Sequence, residues 1–254
     1  MANQYLSEEL LAPEVGDVAV VTGPEARHAV TVSRLAIGET VRVSNGIGLV
    51  AVGVVTAVAP AEFQFVVETV ESIAPPLPWI YLAQALAKGD RDELAIQAAT
   101  ELGVDAVIPW AASRSVSRWE GTKLAKGRQR WEAVVREATK QSARAWIPNV
   151  DQLLTTKELA ARAEITQMII LDPLAELSLV DVEPPLPRFP GMPDGPPRSI
   201  ILVVGPEGGI SPAEFETFYT AGAVGARLGN GILRTSTAGP AALAVLSAKL
   251  GRWS

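Results

Sequence analysis

The sequence has 254 residues, a formal net charge of -6, no cysteine and one histidine. Without cysteine there are no disulfides, thiolate zinc sites or cysteine nucleophiles, and one histidine excludes a multi-histidine metal site. Nearly half of the residues are hydrophobic, enough for a sizeable core, yet no apolar run would span a bilayer and MANQYLSEEL holds no signal core; the expectation is a cytosolic protein without a metal.

Residues 1–72 read as a small β domain. Val15 to Val21, Thr40 to Ser44, Gly48 to Val58 and Glu62 to Val70 are rich in strand formers, and Asn45-Gly46 is a hairpin signal. A short helix is expected around Ala26 to Leu35. The Pro-rich stretch 73–78 is the expected connector. Beyond it strands and helices alternate, the mark of a parallel sheet. Trp79 to Ala85 reads as a strand. Asp90 then caps a helix to Leu102, with Glu93 completing a capping box and Gly103 as the stop. Ala106 to Pro109 is a short strand. A helix over Lys126 to Ala145 places Trp131, Val134, Val135 and Ala138 on one face. Met168 to Leu171 is the next strand, ended by Asp172-Pro173. The prolines of 182–198 argue against a helix or central strand and mark a surface insertion.

Charge is unevenly spread. Between Trp110 and Arg144 lie nine basic residues, among them Arg114, Arg118, Arg128 and Arg130, against Glu120, Glu132 and Glu137. That window is locally about +6 on an acidic chain, which fits either a phosphate-binding stripe or a solvated helix face.

Ile200 to Val204 is a short unbroken apolar run, read as a buried strand. Gly205, Gly208 and Gly209 follow, and Ser211-Pro212-Ala213-Glu214 carries a capping box with Pro at the first helical position. Val224 to Leu228 reads as another strand, broken by Gly229-Asn230-Gly231. A final helix, capped by Ser236 or Thr237 with Pro240 in its first turn, runs to about Lys249. Two glycine loops at strand ends are where an open α/β sheet binds ligands. Neither loop matches the dinucleotide or nucleoside triphosphate fingerprints.

GPEGG followed by a helix, then ARLGNGILRTSTA, resembles the knotted SPOUT methyltransferases. More narrowly, it resembles the bacterial family that methylates N3 of a uridine near the decoding site of 16S ribosomal RNA. KGDRDELAIQAATELGVDAVIPW, SRSV, RWEAVVREATKQSARAWIPNV and RHAVTVSRLAIGETVRVSNG extend the resemblance over nearly the whole chain. It implies an N-terminal PUA-like β-barrel over 1–72, a linker over 73–78, and an α/β domain over 79–254 with a deep trefoil knot. It implies S-adenosylmethionine held by Leu171, Gly205, Pro206, Glu207, Gly208, Leu228, Gly229, Ile232 and Leu233. It further implies the small ribosomal subunit as partner, a homodimer, and RNA contacts from His28 and Arg34; the basic window adds Arg114, Arg118, Arg128 and Arg130 as RNA-contact candidates. The family often carries Glu where this chain has Ser236.

N3 of uracil must lose a proton before it can attack a sulfonium. Arg234, permanently charged beside the second loop, is the candidate for stabilising the resulting anion. Two readings fit Glu207: a general base, or an acceptor of hydrogen bonds that shapes its loop. Two other classes stay open: a non-catalytic RNA-binding protein retaining the fold, and an enzyme using the first loop for a phosphorylated ligand.

Overall fold

The computed structural model describes residues 3–184 and 199–253. The surface insertion expected over 182–198 therefore lies almost wholly outside the described residues. The chain divides into two compact units: residues 1–75 with 139–147, and residues 76–138 with 148–254.

The first unit is a five-stranded sheet of order β1-β3-β4-β5-β2, made of β1 (Asn3–Leu6), β2 (Val18–Thr22), β3 (Thr40–Ser44), β4 (Leu49–Ala59) and β5 (Glu62–Ser72). β1 pairs with β3 in parallel, and the other pairings are antiparallel. Period-two alternation puts Phe63, Phe65 and Val67 of β5 into a core with Tyr5, Val41, Val43 and Val55. The expected helix over Ala26 to Leu35 starts earlier and changes pitch: α1 (Gly23–Arg27) runs into a π-helical turn at His28–Val32. Segment 139–147 returns to this unit through polar contacts. Gln4 donates to the Arg144 carbonyl at 2.7 Å, Ser44 Oγ to the Ala145 carbonyl at 3.1 Å, and Trp146 Nε1 to the Ile73 carbonyl at 2.8 Å.

The second unit is a sheet of order β12-β10-β11-β6-β7-β8, parallel throughout, with β9 pairing β7 off that path. Its strands are β6 (Trp79–Ala85), β7 (Ala106–Ala111), β8 (Asn149–Val150), β9 (Leu154–Thr155), β10 (Gln167–Leu171), β11 (Ser199–Val204) and β12 (Val224–Ala226). Burial on both faces explains the unbroken apolar runs of β10 and β11. One face packs Ile108, Trp110, Ile170, Ile201 and Val203 against Leu159 and Phe218, from α4 (Thr156–Ala161) and α5 (Pro212–Thr220). The other is covered by α2 (Arg91–Glu101) and α6 (Thr235–Lys249). At Gly239 of α6 a Cβ would meet Leu82 Cδ1 at 2.8 Å, so glycine here lets the helix close onto the sheet. The apolar run of α6 is core of its own unit, since Ala242, Leu243 and Leu246 are buried.

Two expected caps differ. Asp90 precedes α2 with φ 59° and makes no side-chain cap; its carboxylate and that of Glu93 both go to Arg130, at 3.1 and 2.6 Å. Asp92 instead turns inward and accepts from the Ala87 and Glu93 amides. α6 begins at Thr235, with Arg234 rather than Ser236 or Thr237 at the cap, which moves Pro240 into the second turn. α3 (Thr122–Gln141) starts and ends about a turn earlier than the pattern suggests. Arg252, just beyond α6, clasps the amino edge of the sheet: it donates to the Gly103 and Pro78 carbonyls at 3.0 and 2.9 Å and meets Asp105 Oδ2 at 2.6 Å.

Candidate active site

The carboxyl ends of β10, β11 and β12 open into one cavity of about 770 Å³. The last residue of each strand, Leu171, Val204 and Ala226, lies in its wall. All the residues expected to hold S-adenosylmethionine line it except Gly229; Arg234 lines it as well. Sequence reasoning missed Arg91, Asp172, Leu174, Phe215 and Thr235, which line it too.

The first loop, Gly205 to Ile210, is braced from several sides. Its carbonyl at Gly205 accepts from Thr235 Oγ1 at 2.8 Å, and that hydroxyl accepts from buried Gln84 Nε2 at 2.8 Å. A Cβ at Gly205 would meet Ile210 Cγ1 at 2.7 Å, and one at Gly208 would meet Arg114 Cβ at 3.1 Å. These glycines are small so that the loop can fold against its own supports. Arg114 donates to the Gly208 carbonyl at 3.2 Å. Its guanidinium is thus tied to the loop, which alters its expected role as a free phosphate ligand.

Ser211 and Glu214 form the expected capping box at the start of α5. Glu214 reaches further than a cap. It is 5 % exposed and accepts from the Ser113 amide at 2.7 Å, Ser113 Oγ at 2.7 Å, Ser211 Oγ at 2.8 Å and Thr156 Oγ1 at 3.0 Å. Burial raises its pKa, but the hydrogen bonds from Ser113 and Ser211 outweigh that and hold the carboxyl below its ordinary 4.5.

Glu207 Oε1 accepts from the Lys88 amide at 3.1 Å and from Arg91 Nη1 at 2.9 Å. Partial burial pushes its pKa up, while hydrogen bonds from its own amide, Arg91 and Lys88 pull it below the ordinary carboxylate value. A carboxylate so held is a weak proton acceptor at neutral pH, and both contacts are those of a brace.

The second loop is different. Leu228 is half-buried, residues 229–234 are exposed, and Ile232 is 82 % exposed although apolar. A Cβ at Gly231 would meet nothing within 4 Å. The Arg234 guanidinium has no hydrogen-bond or ion-pair partner among the described residues, while its carbonyl accepts from the Thr237 and Ala238 amides. The cavity mouth thus carries one uncommitted, permanent positive charge.

The remaining RNA-contact candidates separate. His28 and Arg34 lie on the first unit, both exposed. Arg128 pairs with Glu132 at 3.0 Å, and Arg130 is doubly paired. Arg118 makes only a long, exposed contact of 3.9 Å with Glu120. Two of the arginines read as phosphate ligands are therefore already neutralised. No cluster of three or more metal-ligating side chains occurs among the described residues, and no described helix is long and apolar enough to cross a membrane.

Comparison with known proteins places the chain in a family. Residues 75–247 match an RNA methyltransferase domain and residues 21–68 an RNA methyltransferase PUA domain. Ribosomal RNA small subunit methyltransferase E of Mycobacterium bovis is 41% identical over 95% of this chain and 90% of its own length. The protein of that name from Bacillus subtilis is 32% identical over 89% of this chain and 88% of its own. A crystal structure of ribosomal RNA small subunit methyltransferase E from Neisseria gonorrhoeae, bound to S-adenosyl methionine, superposes with a TM-score of 0.83 at 25% identity, covering 98% of each chain. This chain belongs to the RNA methyltransferase family that includes ribosomal RNA small subunit methyltransferase E.

Proposed function

We propose that this protein transfers the methyl group of S-adenosylmethionine to N3 of a uridine in the 16S ribosomal RNA of the small subunit. The observation that carries the reading is the single cavity at three strand ends, walled by both glycine loops, with the unpartnered Arg234 at its mouth. The residues fit the cofactor. The cavity is of small-molecule size, its walls offer apolar side chains from Leu171, Leu228 and Leu233, and the exposed Ile232 gains cover from an occupant. No lysine lines it, and Glu207 and Asp172 disfavour a phosphorylated ligand there.

When bound, S-adenosylmethionine supplies an electrophilic methyl on a sulfonium. The chain must do the rest. N3 lies on the Watson–Crick edge, so the uridine has to be unpaired to enter the mouth. The N3 proton passes to solvent water at the exposed mouth before the methyl moves, and Arg234 lowers the cost of the anion left behind through a charge that needs no reorganisation. Glu207 holds the loop against Lys88 and Arg91 and is assigned no proton-transfer step. Ser236, the departure from the family pattern, lies in the first turn of α6 and is assigned no role.

The five-stranded first unit is taken as a PUA-like barrel that grips RNA with His28 and Arg34, and the unit beyond 73–78 as the catalytic domain. The chain after edge strand β12 crosses to α6, which packs on β11, β6 and α2, and a trefoil knot is taken to form along that crossing. A cytoplasmic homodimer completes the assignment. The test is methylation of small subunits and of free 16S RNA with the purified chain, followed by nucleoside mass spectrometry. The expected product is 3-methyluridine; no transfer, or a methyl on another atom, overturns the reading.

A further inference from the structure

A second cavity, of about 520 Å³, lies within the same unit. One turn partitions it from the first: Lys88, Gly89 and Asp90 line the second cavity, and Arg91 lines the first. Glu207 fixes that turn by accepting from the Lys88 amide and the Arg91 guanidinium.

The opposite wall is the start of α3 and the segment before it. Trp119 meets Trp131 edge to face, with centroids 5.3 Å apart. It also lies directly on the backbone of α3 at Gly127, where any Cβ would collide with the indole. Glycine inside a helix is unfavourable, and what it admits here is a ring held in one place. Trp119 remains half-buried, so it presents surface to the cavity.

The charges around this ring are not balanced. Arg130 is neutralised by Asp90 and Glu93, and Asp92 is committed to backbone amides. Lys123 and Lys126, three residues apart on one helix face, have no ion-pair partner among the described residues, nor has the Lys88 ammonium. An aromatic ring beside uncompensated ammonium groups is the chemistry that binds single-stranded nucleic acid: phosphate on the cations, base on the ring.

We propose that the second cavity is a nucleotide subsite for the RNA, where phosphates next to the target uridine seat on Lys123 and Lys126 and a neighbouring base rests against Trp119. The proposal rests on the first cavity being the methyl-transfer site, since the turn from Lys88 to Arg91 borders both cavities.

The test uses the full chain and a fluorescein-labelled, uridine-rich single-stranded oligoribonucleotide, titrated at several salt concentrations. Lys123→Ala with Lys126→Ala should weaken binding and flatten the slope of log K against log salt by roughly 1.4, for two phosphates at ~0.7 each. Trp119→Ala should weaken binding about tenfold at every salt with the slope unchanged, and Trp119→Phe should recover most of it. S-adenosylmethionine affinity by calorimetry should match wild type in all variants. Wild-type RNA affinity and slope in the double lysine variant overturn the subsite, whether or not the tryptophan variants fold. Displacement of the RNA by micromolar uridine 5′-monophosphate also overturns it, because the cavity is then a site for free nucleotides. A wild-type chain that binds RNA through these residues but not S-adenosylmethionine faults the first-cavity reading instead.

Discussion

The two loops that wall the first cavity are built in opposite ways. Gly205 to Ile210 is held by Thr235, Arg114, Arg91 and the Lys88 amide, and its glycines are filled against by Ile210 and Arg114. Leu228 to Leu233 makes no hydrogen bond with any other described residue, and its glycines face open space. Backbone groups left unpaired in a loop are available to water or to a ligand. One wall is therefore shaped before binding, and the other still has its polar groups to commit.

The largest expected effect comes from the charge on the open side. Arg234→Ala should lower single-turnover methyl transfer about 100- to 1,000-fold while S-adenosylmethionine affinity changes little. Arg234→Lys should recover only part of the rate, because a point charge lacks the planar fork. Wild-type turnover in Arg234→Ala at saturating cofactor and RNA would remove Arg234 from the chemistry.

A pair of glycine substitutions sharpens the comparison. Gly231→Leu should leave thermal stability at the wild-type value and weaken S-adenosylmethionine binding roughly tenfold or more, ~1.4 kcal/mol. Gly205→Ala should do the converse first, costing about 1–3 kcal/mol of stability through overpacking against Ile210. Calorimetry and urea unfolding on both variants read the contrast; equal behaviour would erase the distinction between the walls.

Glu214→Gln attacks the foundation of the braced side. Its loss should cost about 1–3 kcal/mol at pH 7, as expected when a buried charged acceptor loses its bonds. Because the folded pKa lies below the ordinary 4.5, this stability is present above that value and disappears as pH falls through the folded pKa. Wild type and variant should converge in urea titrations once the pH is below the folded pKa. A difference as large there as at pH 7 would rule out the ionised network as its source.

Glu207→Gln should have the smallest effect. The salt bridge to Arg91 is partly solvent-accessible, so the expected change is a few-fold loss of S-adenosylmethionine affinity, with the pH profile of turnover retained. A general base would contribute about 100-fold or more, and its loss would abolish the profile's acidic limb.

Much of the site was legible because it rests on local pattern. The apolar run of β11, the Ser211 capping box and the two glycine breaks are all short-range signals. What local pattern could not carry were partners distant in sequence. Glu214 reads as the third residue of a cap, but its bonds to Ser113 and Thr156 depend on packing. Asp90 and Glu93 look like a capping box until Arg130 takes both carboxylates. The same pairing removes Arg130 from the free positive charge that counting along the chain suggests. Nothing in 139–147 announces that it rejoins the first unit, because the partners of its Arg144 and Ala145 carbonyls, its Lys140 ammonium and its Trp146 indole all lie far away in sequence.

The clasp at Arg252 has a mechanical consequence. α6 is pinned at its amino end by Thr235, between Gln84 and Gly205, and just past its carboxyl end by Arg252 on Gly103, Pro78 and Asp105. A rod fastened at both ends has no axial slack. Any adjustment of the second loop to an occupant is absorbed between Leu228 and Leu233 and does not travel down the helix. Clipping the last three residues would free the far anchor and turn a stiff support into a compliant one.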